Sequence, residues 1–103
     1  MDQKNDIWNA FKDAARKKAE LQTMLLSKRG DRNTAFYEFL SAFAFAHTLV
    51  AHNSKFRDHK YKDTTLSAAI AAWVADAVDY HDSEVGFALF DEFNLALGRL
   101  GLI

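Results

Sequence analysis

Residues 35–52, AFYEFLSAFAFAHTLVAH, decide how this chain folds. At 100° per residue Phe36, Phe39, Leu40, Phe43, Ala46, His47 and Val50 gather on one face of a helix. Asn33 or Thr34 supplies a start, and the pattern runs to about Asn53. His47 lies in the middle of the apolar face. His52, five residues on, lies about 140° further round, beside Ser41, Phe45 and Thr48. The two imidazoles therefore cannot meet at one ion from one straight helix, because a helical chelate needs a spacing of three or four. His47 is expected to be buried, with a ring nitrogen bonded to a backbone carbonyl or a tyrosine hydroxyl.

The back of this helix is unusual. Opposite the core stripe stand Phe45 and Leu49, flanked by Ser41, Ala42, Thr48 and His52, and Glu38 is the only charge between Thr34 and Asn53. A surface helix ordinarily has a polar back, and a helix apolar all round is covered on every side. A small domain has too few helices to do this itself, so the remaining arc calls for another copy or another protein. Phe87, Leu95 and Leu102 add apolar surface away from the core stripe of the last helix. Phe45, Leu49, His52, Phe87 and Leu95 are the candidate interaction residues.

Working outward, the period remains helical. Asn5 or Asp6 can cap a first helix whose stripe is Ile7, Phe11, Ala14, Leu21 and Leu25, with Trp8, Ala15 and Leu26 beside it and an outward Asp13–Lys17 pair. Lys18 falls inside that stripe, with its methylenes buried and its ammonium at the edge, or paired with Glu92. Arg29–Gly30–Asp31 matches an adhesion tripeptide but reads as a helix stop, with Gly30 at C′. Thr64 or Thr65 opens a third helix with Leu66, Ile70, Trp73, Ala77 and Tyr80 inward. Its other side, Ala68, Ala71, Ala72 and Ala75, is smooth enough for close approach by a neighbour, although alanine is also simply the best helix former. Asp82 or Ser83 caps a fourth, with Leu89, Phe93, Ala96, Leu97 and Leu100 inward. These readings give one domain, 1–103, as an all-α four-helix antiparallel bundle with helices at about 5–28, 34–53, 65–81 and 84–100.

Composition narrows the chemistry. Thirteen basic residues against 14 acidic ones leave a net charge of −1, so no global field attracts nucleic acid. Residues 1–34 and the 53–64 loop are nevertheless net basic, while residues 65–103 are acidic with Arg99 as their only Lys/Arg. That asymmetry can steer a polar partner or a second copy. The chain has no cysteine, which removes disulfides, thiolate metal sites and cysteine nucleophiles and fits the cytoplasm. Its opening residues lack a signal-peptide core, and no apolar run is long enough for a bilayer. No Gly-rich phosphate loop, zinc spacing or di-iron Glu-x-x-His motif is found. No second axial ligand accompanies His47, so no cofactor is expected.

The leading expectation is a small non-enzymatic helical interaction module, a homodimer that binds and regulates or inhibits a larger protein. A nucleic-acid accessory protein ranks second: Lys55, Arg57, Lys60 and Lys62 interleave with Phe56 and Tyr61, a composition suited to phosphate contact and base stacking. Alternatively, Phe56 and Tyr61 cap the core while the charges stay in water. The His81–Asp82 doublet in DYHDSE is similar to the adjacent metal ligands of metal-dependent HD phosphohydrolases. That resemblance rests on two residues and implies a third reading, a metal hydrolase using His47, His81 and Asp82. Asp82 reads equally well as a helix cap, and the row Asp76, Asp79, Asp82 as the solvated side of the third helix.

Overall fold

A computed structural model describes residues 3–103. They form α1 (Gln3–Ser27), α2 (Arg32–Val50), α3 (Ser54–Arg57), β1 (Lys60–Tyr61), β2 (Thr64–Thr65), α4 (Leu66–Asp76) and α5 (Ser83–Arg99). The protein is predominantly helical, and the four long helices occur close to where the periodicity predicts them. Four corrections concern their ends. α1 already exists at Gln3, so Asn5 and Asp6 lie inside its first turn, where the Asp6 carboxylate faces the positive end of the helix dipole. The cap of α2 is Asp31, not Asn33 or Thr34: its Oδ1 accepts the Thr34 N–H at 3.0 Å and its Oδ2 the Thr34 hydroxyl at 2.6 Å. α2 stops at Val50, because Asn53 accepts the Phe56 N–H and starts a new helix instead of finishing the old one. α4 ends at Asp76, whose carbonyl accepts from both Asp79 and Tyr80 N–H and turns the chain away. Tyr80, expected in the core, is consequently 70% exposed.

Thr65 and Asp82 do cap α4 and α5, accepting the N–H groups of Ala68 and Val85. The expected 53–64 loop is instead α3 followed by a β-hairpin pairing Lys60 with Thr65 and Tyr61 with Thr64. Its turn places Lys62 in the left-handed region, φ 55°, a position usually signalled by glycine or asparagine. Between α1 and α2 the chain reverses through left-handed Lys28 as well as Gly30, so the turn begins two residues before the expected glycine.

The molecule measures 40 × 32 × 19 Å, a thickness of about two helix diameters. α2 is central: α1 lies along it, and α4 and α5 pack against it and against each other. The core is aromatic. Phe43 is fully buried and its ring centroid lies 5.8 Å from Trp73 and 5.2 Å from both Phe90 and Phe93. Buried rings of this kind each contribute about 1.5–3 kcal/mol by desolvation, and favourable ring pairs add to that. The Trp73 indole lies on Gly86, where a Cβ would sit 2.3 Å from Cζ2, and its N–H donates to the Asp82 carbonyl at 2.9 Å. Only a glycine allows α5 to approach α4 in this way. Leu25, expected inward, is 37% exposed because it lines an open hollow with Arg32, Phe36 and His81.

Candidate functional site

With two layers of helix, α2 keeps an open side. Tyr37, Glu38, Ser41, Phe45, Thr48 and His52 are all exposed along it, and Ala42, Ala44 and Leu49 are half-buried. Small residues at 41 and 42 leave relief between the larger ones. The result is an open furrow between α1 and α2 of ≈ 580 Å³, bounded by Asp13, Lys17, Tyr37, Glu38, Ala42 and Phe45. Beyond Phe45 it continues as a second hollow of ≈ 420 Å³, walled by Asp6, Asn9, Ala10, Asp13, Phe45 and Leu49. Phe45 is the ridge between them, 59% exposed although it lies within a nineteen-residue helix. The rim is polar and partly self-neutralised: Lys17 Nζ bonds Glu38 Oε2 at 3.1 Å, and Asp13 pairs with Arg16 at 2.7 Å. The expected Asp13–Lys17 pair is thus replaced by two others, since Glu38 across the furrow competes for Lys17. An apolar floor with a charged rim suits a large apolar side chain or the face of a helix.

The structure divides the candidate interaction residues. Phe45 and Leu49 share the furrow wall, and His52 is exposed beyond them at the end of α2. Leu95 is exposed on α5, which contributes nothing to the furrow. Phe87 is turned inward, half-buried with its ring 5.6 Å from Phe39. Lys18 lies over it: its ammonium is 5.4 Å from the Phe87 ring and 3.7 Å from Asp91, not Glu92, with the aliphatic stem buried. Sequence reasoning missed Ala10, Asp13, Lys17 and Tyr37 as furrow residues. The signal for the first three is the side of α1 adjoining its core stripe.

The histidines have separate roles. His47 is half-buried, and its Nε2 shares a 2.7 Å hydrogen bond with the Ser67 hydroxyl, tying α2 to α4. The partner is a serine, where a carbonyl or tyrosine was expected, because the first turn of α4 crosses α2 at that level. Burial holds the imidazole below the ordinary histidine range. His81 stacks on Phe36 at 4.7 Å and its Nε2 bonds the Tyr37 hydroxyl at 2.9 Å. Ten residues of α2 separate the two anchor points, about 15 Å, so His47 and His81 do not form one site. Among the described residues no three His, Cys, Asp or Glu side chains come together as a metal-binding group, the Asp76, Asp79, Asp82 row included. Lys55, Arg57, Lys60 and Lys62 are exposed on α3 and the hairpin, but Phe56 is fully buried and Tyr61 half-buried against the core beneath the Lys62 ammonium. No described helix is long and apolar enough to cross a membrane. Comparison with protein-family models, with curated proteins and with solved structures finds no match for this chain.

Proposed function

We propose that this protein is a small non-enzymatic helical interaction module that binds and regulates or inhibits a larger protein, and that it associates as a homodimer. In this reading the four long helices form an antiparallel bundle whose α1–α2 side is the binding surface. The observation that supports it is Phe45, a large ring more than half exposed on the ridge between two hollows, with the small residues Ser41 and Ala42 beside it. Covering such a ring with a partner contributes about 1.5–3 kcal/mol, and the flanking small residues leave room for it. Affinity capture from the native host, with wild-type and Phe45→Glu baits side by side, tests the proposal. Proteins retained by the wild type and lost by the variant support it, whereas an identical set on both baits contradicts it.

One observation favours a second reading, a nucleic-acid accessory protein: four exposed basic side chains cluster on α3 and the hairpin. A salt-sensitive shift of DNA or RNA, abolished by Lys60→Glu/Lys62→Glu, would put this reading first. No comparable observation favours a metal-dependent hydrolase.

A further inference from the structure

Apart from Ser67, which is bonded to His47, and its last residue Asp76, α4 is apolar. Leu66, Ile70 and Trp73 turn inward, while Ala68, Ala71, Ala72 and Ala75 on the opposite side are exposed. Residues 66–75 contain no charge at all, where a helix with one wet side ordinarily carries several.

Charge stands only at the two ends, and its placement is unfavourable within one molecule. At the N-terminus of α4 the hairpin and α3 present exposed Lys55, Arg57, Lys60 and Lys62, which outnumber Asp58 and Asp63. At the C-terminus Asp76 and Asp79 are exposed, without any Lys or Arg between Lys62 and Arg99. The N-terminus of a helix is its positive pole and the C-terminus its negative pole. Both sets of side chains therefore sit at the pole that repels them. An antiparallel second α4 reverses both relations, setting the lysines of one copy beside the aspartates and negative pole of the other. A two-fold axis near Ala71 and Ala72 repeats the match at both ends. α4 has eleven residues, about 16 Å, short enough for lysines beyond one end to reach acids at the other helix's end. Alanines between the poles let the axes approach closely.

We propose that two copies of this chain associate through antiparallel α4 helices, alanine face on alanine face, with Lys60 and Lys62 of each copy against Asp76 and Asp79 of the other. The inference rests on the reading of the chain as a self-associating module, and it leaves the α1–α2 furrow open for the larger protein. The contact is small, so the dimer is weak and reversible, and because its specificity is carried by exposed charge, salt weakens it.

Sedimentation of the purified protein over a concentration series tests this. The wild type should dimerise at low salt and dissociate with a Kd about tenfold higher at several hundred millimolar salt. Lys60→Glu/Lys62→Glu and Asp76→Lys/Asp79→Lys should each be monomeric, with circular dichroism melts close to wild type. Mixing the two variants in equal amounts should restore the dimer, because in the mixed pair every end is again opposite in charge. A monomeric wild type, either variant dimeric on its own, or a mixture that fails to associate would overturn the α4 dimer. Phe45→Glu should leave it unchanged; if that variant alone dissociates the dimer, the copies meet through α2 and this inference falls, while the module reading survives. Capture on the Phe45→Glu bait judges that reading separately.

Discussion

The outer faces of α2 and α4 are both poor in charge, yet they differ in relief. On α2 the Phe45 ring rises between Ser41 and Thr48, and α1 beside it closes the second wall of a furrow. On α4 four exposed alanines form a strip with opposite charges at its ends. The first surface can select a partner by shape, through an anchor and the space around it. The alanines of the second offer no anchor of their own and select by closeness of approach and by polarity along the helix axis. Two charge-poor faces on neighbouring helices therefore suit different kinds of partner.

The comparison breaks most completely at the structure both faces share. Phe43 stands on α2 and packs on Trp73 of α4 and on Phe90 and Phe93 of α5. Phe43→Ala should cost about 3–5 kcal/mol in denaturant unfolding, taking the furrow and the strip together. Retention of full stability would mean that the helices are held together elsewhere.

Gly86→Ala acts on one side only. The added methyl meets the Trp73 indole at the α4–α5 contact, so a loss of about 1–3 kcal/mol is expected. A change in tryptophan fluorescence should accompany it, because Trp73 must shift while Trp8, on α1, stays unperturbed. An unchanged spectrum and melting temperature would show that the two helices are further apart than described.

His47 links the two faces, through its bond to Ser67. Its folded-state pKa is depressed by burial, so the unfolded chain binds a proton more readily than the folded one. This contribution to stability is complete above the ordinary histidine value of about 6.5 and is lost as pH falls through the lower folded-state value. His47→Gln should destabilise by about 1–3 kcal/mol at neutral pH and flatten that part of the profile. Parallel profiles for wild type and variant would remove His47 as the titrating link.

How far these features could be read from the chain differs from place to place. The core stripe of α2 follows from Phe36, Phe39, Phe43 and Val50 alone, since a 3.6-residue period fixes which side chains share a face. Thr65 and Asp82 announce their helices for the same local reason, a short oxygen-bearing side chain just before an apolar run. The hairpin at 60–65 was hidden, because its left-handed turn residue is Lys62 and no glycine or asparagine marks it. Tyr80 was misplaced because periodicity says nothing of where a helix stops, and Asp76 ends α4 through its backbone carbonyl. In the furrow, Phe45 and Leu49 could be singled out from one helix. Asp13 and Lys17 could not, because their place depends on how α1 lies along α2. Phe87 turns inward onto Phe39 and beneath Lys18, both far away in sequence.

The smallest expected effect on stability belongs to the most informative substitution. Phe45→Glu changes an exposed residue, so its unfolding free energy should stay within about 0.5 kcal/mol of the wild type. Quantitative capture of host proteins on wild-type and Phe45→Glu columns, with the melting curve of each bait recorded alongside, is the most direct test of the furrow as a binding surface. The expected result is a cooperative, nearly unshifted melt for the variant together with loss of the proteins retained by the wild type. Equal retention by both columns would contradict the account, and an unfolded variant would place Phe45 in the core and remove the furrow from it.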